Sequence, residues 1–212
     1  MVLLSAENLS FANKEDYVFQ NLSFEIKKNE KVLLHGISGS GKSSILKMIL
    51  GFAKPESGII RYNGKILAGP AIWHFRRESS YVPQNPQIGN GTAIKILREI
   101  FSFKYTSPLP NTDRILETAE RLSLNRRTLE QSFDSLSGGE KQRVAVLIAL
   151  LRERNIFILD EPTSSLDADL QKKVISLFSE NPKWTVITAS HDPLWQQCGN
   201  FQLIYIAEGA SG

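Results

Sequence analysis

The stretch Gly36-Ile37-Ser38-Gly39-Ser40-Gly41-Lys42-Ser43-Ser44 fits G-x-x-x-x-G-K-[ST], and its residue types are those that hold a chain of phosphates. Glycine admits backbone conformations closed to residues with a Cβ. The N–H groups from Gly36 through Ser38, Gly39, Ser40 and Gly41 can therefore turn inward on phosphate oxygens. A following helix aims its N-terminal dipole at the same anion. Lys42 can reach the β- and γ-phosphates, and the Ser43 hydroxyl, with Ser44 beside it, is placed to ligate Mg²⁺. Farther along, Asn155-Ile156-Phe157-Ile158-Leu159-Asp160-Glu161-Pro162 is an apolar run ending in two acids, a buried strand whose carboxylates emerge at the ligand edge of a parallel sheet. Asp160 can hold Mg²⁺ through water, and Glu161 can face the γ-phosphate and polarise an attacking water. Two carboxylates at a buried strand end are costly without a cation.

Other candidates carry two readings each. Gln84 follows a strand, Ser79-Ser80-Tyr81-Val82, that ends at Pro83 before the Asn-, Pro- and Gly-rich stretch 85–91. A strand end beside such a loop sets side chains against a ligand, although a glutamine taken alone reads as solvated. Leu136-Ser137-Gly138-Gly139-Glu140-Lys141-Gln142-Arg143 opens a helical run to about Arg154. Its N-terminal Ser137, Gly138 and Gly139 form a second anion site, or Ser137 and Glu140 form a capping box. His191, at the end of the buried strand Trp184 to Ser190, can donate to a γ-phosphate or can decorate the surface. Tyr17, Phe19 and Phe11 are the aromatic candidates for stacking on adenine, or they pack within a sheet.

The elements that must position these groups alternate between strand and helix. Lys31 to His35 reads as a buried strand before the phosphate loop and Ile45 to Leu50 as a helix after it. Val2-Leu3-Leu4, Leu9-Ser10-Phe11 and Phe24-Glu25-Ile26 look like short strands of a small antiparallel region. Ile59 to Leu67 alternates around Asn63-Gly64, a strong hairpin signal. From Thr92 to about Gln131 the pattern is helical, with amphipathic stretches at Ala93 to Phe103 and Arg114 to Leu122 flanking Pro108-Leu109-Pro110. This is a candidate helical insertion. Ile94, Leu97, Ile100, Phe101 and Phe103 supply its core, and any left exposed would suit a partner helix. A polar turn at 163–167 leads into a helix at about 170–178, Phe201 to Ile206 is a last strand, and 207–212 reads as a loose tail.

At 212 residues the chain can bury a substantial core. Its net charge of +3 is mild, and its basic residues come as pairs such as Lys27-Lys28, Arg76-Arg77 and Arg126-Arg127, so nucleic-acid binding has no compositional support. The single cysteine, Cys198, excludes an internal disulfide and fits a reducing compartment. The longest apolar run, Val144 to Leu151, is eight residues, well short of the roughly 18 to 20 that span a bilayer. Work at a membrane would need another chain to make the crossing.

Taken in order, the phosphate loop at 36–44, Gln84, LSGGEKQR at 136–143, ILDEP at 158–162, SSLD at 164–167 and His191 resemble the nucleotide-binding domain of ABC ATPases over nearly the whole chain. The resemblance implies an α/β fold of the P-loop NTPase type. It would have a mostly parallel core sheet, a small antiparallel β subdomain and an inserted α-helical subdomain. The chain would be a single domain, with 1–84 and 132–212 forming the RecA-like core and antiparallel region and about 85–131 the helical part. It implies ATP and Mg²⁺ as cofactors, with Ser43, Gln84 and Asp160 at the metal and Glu161, His191 and Gln84 in catalysis. It also implies an ATP-dependent head-to-tail homodimer, in which Ser137, Gly138 and Gly139 contact the partner's ATP and Asp167 lies near the shared interface. Asn13 falls where an adenine-stacking aromatic commonly sits in that family, so the role passes to Tyr17 or is missing. Function is then expected to be that of an ATP-hydrolysing transporter subunit, cytoplasmic and peripheral at the inner face of the membrane, with permease subunits on separate chains. The alternative is a soluble ABC ATPase not coupled to transport.

Overall fold

The computed structural model describes residues 1–13, 16–103, 108–198 and 200–206. The tail reading at 207–212 lies outside the described residues. Elements follow in chain order as β1 (Val2–Asn13), β2 (Asp16–Lys27), β3 (Lys31–His35), α1 (Lys42–Ile49), β4 (Ser57–Tyr62), β5 (Lys65–Ile66), α2 (Pro70–Glu78) and β6 (Ser79–Val82). Then come α3 (Ala93–Ser102), α4 (Thr112–Arg121), α5 (Arg126–Glu130), α6 (Gly138–Leu151), β7 (Ile156–Asp160), α7 (Ala168–Ser179), β8 (Thr185–Ala189), α8 (Leu194–Gln197) and β9 (Gln202–Tyr205).

Two sheets result. A parallel sheet runs β6-β7-β8-β3-β9, and an antiparallel one runs β2-β1-β4-β5. Side chains alternate across each parallel strand, so the sheet serves two cores. Val32, Leu34, Ile156, Ile158 and Ile187 pack with α1 and the antiparallel sheet. Leu33, Phe157, Leu159 and Val186 pack with α6, α7 and the helical stretch from Ala93 to Leu129. Both faces are covered, which is why these strands read as unbroken apolar runs.

One local expectation is revised and two points are added to the sequence reading. The short strands expected at 2–4, 9–11 and 24–26 are pieces of two long paired strands, β1 and β2. Their alternation is broken where the register shifts, and Asn8 and Asn21 take left-handed backbone with φ of 51° and 53°. Helix α2, with Pro70 in its first turn, had no clear sequence signal, and neither did α5. In α3, Leu97 and Phe101 are buried and Ile94 and Ile100 are half-buried against the same core, while Phe103, just past the helix, is 66% exposed. The ends of the helical stretch are drawn together by a bridge between Thr92 and Ser132, with Ala93 N–H donating to Gln131 O (3.3 Å) and Phe133 N–H to Gly91 O (2.8 Å).

Candidate functional site

Strands β6, β7, β8 and β3 are neighbours, so their C-terminal ends form one edge. Chemistry-bearing residues follow each end: Gln84 after β6, Asp160 and Glu161 at β7, His191 after β8 and the phosphate loop after β3. Ser38, Gly39, Gly41, Lys42, Ser43, Ser44, Gln84, Glu161 and His191 together line a cleft of ≈ 280 Å³. Strand order therefore unites four segments that sequence could only place separately.

The loop is a backbone cradle. Gly39 and Gly41 have φ of 87° and 91°, in the region that favours glycine. Gly41 has a second constraint, since a Cβ there would lie 2.8 Å from the Phe19 ring and 2.9 Å from Val18. Phe19, 2% exposed, is thus the floor under the loop and is unavailable to stack on a base. Gly36 abuts Ser40, whose buried hydroxyl has no hydrogen-bond partner among the described residues. Lys42 Nζ donates to the carbonyls of Gly36 (2.7 Å) and Ile37 (2.8 Å), cross-bracing the loop from below. Burial holds its ammonium below the ordinary lysine value, while Glu161 and Asp160 pull in the opposite direction.

Ser43 Oγ donates to Asp160 Oδ1 at 2.7 Å, joining the first helical turn after the loop to the end of β7. Burial pushes the Asp160 carboxyl above the usual carboxylate range, although the Ser43 bond and the Lys47 and Lys42 charges oppose this. A hydroxyl and a carboxylate in contact, with the Gln84 amide on the same cleft, form a hard oxygen donor set that fits Mg²⁺. Tyr81, on the neighbouring strand, is close enough to Asp160 to feel its charge, a neighbour that sequence reasoning missed. Burial, followed by the charge of Asp160, pushes its phenol up to about 12.

Glu161 is 7% exposed and has a φ of 46°, a left-handed conformation that costs a residue with a Cβ roughly 1–2 kcal/mol. Its position is fixed from several sides. Its N–H donates to Ala189 O (2.9 Å), Ser190 Oγ donates to Oε2 (3.2 Å), and His191 Nδ1 lies 2.8 Å from Oε1. Trp195, buried on α8, donates from Nε1 to Thr163 Oγ1 (2.9 Å), tying the chain after His191 to the turn after Glu161. A carboxylate so held, with an imidazole against one oxygen and facing the cleft, has the geometry a general base requires. Ser190 was not among the expected residues, and its only signal is adjacency to His191.

Gly36 and Ser40 of the loop, and Asp160 behind Ser43, fall just outside that lining, and Ser137, Gly138, Gly139, Asp167 and Tyr17 are also outside it. Ser137 and Glu140 form the capping box: Ser137 Oγ and N–H both donate to Glu140 Oε2 (2.8 and 2.9 Å), and Glu140 N–H donates back (3.3 Å). Hydrogen bonds to Ser137 hold the Glu140 carboxyl below its usual range. Ser137 and Gly138 are exposed, and a Cβ on Gly139 would meet Ser165 O at 2.7 Å. Asp167 is exposed and caps α7 by accepting from Leu170 N–H (3.0 Å). Tyr17 is an exposed residue of β2, at 47% exposure, and Phe11 is half-buried with its ring centroid 6.1 Å from that of Phe19.

The ABC transporter family model matches residues 19–164, more than half of the chain. Over 197 residues the sequence is 34% identical to the energy-coupling factor transporter ATP-binding protein EcfA1 of Geobacillus kaustophilus, covering 90% of this chain and 70% of that one. It is 36% identical over 191 residues to the molybdate/tungstate import ATP-binding protein WtpC of Methanocaldococcus jannaschii, covering 90% and 63%. The chain spans from 24% to 73% of the lengths of relatives it resembles. Among solved structures, the ATP-binding cassette MJ0796, a dimer in a post-hydrolysis state bound to ADP and Pi, superposes with a TM-score of 0.84 at 27% identity, covering 98% of this chain and 95% of that one.

Proposed function

This chain belongs to the ABC transporter family, and from that premise we propose that it is the ATP-binding and ATP-hydrolysing subunit of a multi-chain membrane transporter. The observation that carries the reading is the pairing of Ser43 with Asp160 at 2.7 Å on the same sheet edge as Glu161, with His191 against its carboxylate at 2.8 Å. This geometry supports a reading in which the phosphate loop, the metal donors and the base act together at one cleft.

In this reading the cradle from Gly36 to Ser44 and the Lys42 ammonium bind the triphosphate. Ser43, Asp160 and Gln84 hold Mg²⁺, which when bound neutralises charge on the β- and γ-oxygens. Glu161 accepts a proton from the attacking water as its oxygen bonds to the γ-phosphorus. The bridging bond to the β-phosphate breaks, giving ADP and phosphate. His191 keeps the Glu161 carboxylate oriented and offers its remaining ring nitrogen to the γ-phosphate.

Ser137, Gly138 and Gly139 sit at an exposed helix start outside their own cleft. This supports a head-to-tail homodimer in which they close on the partner's ATP, with Asp167 near the junction, and the dimeric state of the similar cassette agrees with it. Of the three aromatic candidates for adenine, Tyr17 is the exposed one. Among the described residues no helix is long and apolar enough to cross a membrane. Separate permease chains would provide the crossing, with this subunit on the cytoplasmic face.

Phosphate release from ATP by the purified chain, with and without Mg²⁺, is the direct test. Mg²⁺-dependent turnover is expected, and a chain that binds ATP without hydrolysing it would overturn the enzymatic reading.

A further inference from the structure

Gln142 lies within LSGGEKQR but is only 1% exposed, so it cannot serve a ligand directly. A glutamine amide buried to that degree needs partners. Its Nε2 donates to the carbonyl of Pro83 at 3.2 Å. The β6 ladder ends one residue earlier, at the pairing of Val82 with Leu159. Pro83 O is therefore the first carbonyl past the strand, and Gln142 captures it immediately before Gln84 enters the cleft.

A second bond joins the same two elements, from Ser80 Oγ to Ala149 O at 3.2 Å, buried. The two contacts match in spacing. Three residues of strand from Ser80 to Pro83 cover about 10 Å, and seven residues of helix from Gln142 to Ala149 cover about 10.5 Å. Helix α6 is thus pinned along β6 at two points in register and cannot slide without breaking both. On its neighbouring position, Arg143 donates to the carbonyls of Leu122 (3.2 Å) and Ser123 (2.8 Å), fastening α6 to the end of α4. The 84–91 segment is held at its far end by Phe133 N–H donating to Gly91 O. Gln142 is the side-chain pin at its cleft end.

We infer that Gln142 is the positioning residue for Gln84, fixing where the 84–91 segment leaves the sheet and linking that point rigidly to the Ser137 end of the same helix. The inference rests on the ATPase reading above. In a dimer it gives a route by which nucleotide on the partner, felt at Ser137, acts on Gln84 in the subunit's own cleft.

The test uses Gln142→Met, which keeps length and volume but removes the donor, together with Gln84→Ala and the double variant. In nucleotide-free protein, amide hydrogen exchange across 84–91 should quicken by about tenfold, since a bond that closes the segment is lost. Turnover should fall by about tenfold, as for loss of a partner that orients a metal ligand. ATP affinity should stay within about twofold, and in the Gln84→Ala background Gln142→Met should add no further loss. Unchanged exchange across 84–91, or an undiminished loss in the Gln84→Ala background, would overturn the inference. Should Gln142→Met not fold, Gln142→Leu, which likewise lacks the donor, is read in the same assays. If the wild-type chain itself fails to hydrolyse ATP, the functional reading falls and the exchange measurement alone decides the positioning role.

Discussion

Replacing Glu161 by glutamine isolates the carboxylate from everything else at its position. The amide has the same length and the same backbone demand, so the φ of 46° is carried by both forms. Ser190 Oγ can still donate to an oxygen of the new side chain, where it now meets Oε2 at 3.2 Å. What disappears is the charge facing His191 Nδ1 at 2.8 Å and the ability to take a proton from water. The His191 side chain is 65% exposed, so that pair contributes less than about 1 kcal/mol to stability. For a domain of this size the melting temperature should then move by less than about 4 °C. Loss of a general base costs roughly 10² to 10⁴ in rate, about 3 to 5 kcal/mol of barrier. Steady-state phosphate release should accordingly fall by at least about a hundredfold, with ATP affinity by calorimetry unchanged. A variant that folds, binds ATP and turns over within about tenfold of wild type would refute Glu161 as the base.

Lys42→Ala should weaken ATP binding before any chemistry, since it removes the cation at the phosphates along with both braces to Gly36 O and Ile37 O; calorimetry with ATP and Mg²⁺ is the measurement, and equal affinity would exclude the loop as the phosphate site. In the Glu161→Gln background ATP should produce a dimer by light scattering and ADP should not, and adding Ser137→Arg should abolish it by placing bulk at an exposed helix start. The capping box makes a pH prediction. Glu140 has a folded pKa below its unfolded one, so its stabilisation is full above the ordinary carboxylate pKa and is lost as pH falls through the lowered folded value. Glu140→Ala should therefore cost about 1 kcal/mol at neutral pH, and the gap to wild type should close in acid; a gap independent of pH would remove the carboxylate from the account.

Much of the site was legible because it rests on local chemistry. The phosphate loop needs glycines at fixed offsets between a buried strand and a helix, and Asp160-Glu161 needs only an apolar run that stops at two acids. The capping box was legible for the same reason, since Ser137 and Glu140 meet within one helical turn. The interrupted β1 and β2 were harder. Asn8 and Asn21 break the two-residue alternation on which strand recognition depends, so long strands looked like short ones.

Tertiary structure decided which distant pieces meet. Ser43 and Asp160 are 117 positions apart, and their 2.7 Å bond exists because β7 lies one strand from β3 across β8, an order that no periodicity encodes. Phe19 was indistinguishable by type from a base-stacking aromatic until the sheet set it beneath Gly41, where packing rather than ligand binding fixes both residues. Tyr81 and Gln142 carried no visible signal, because a side chain's partner depends on the surface its element is packed against. Local backbone demands are written in residue types at short spacing. Which carbonyl or carboxylate a buried side chain reaches is settled only when strands and helices have taken their order, since that order fixes the distances.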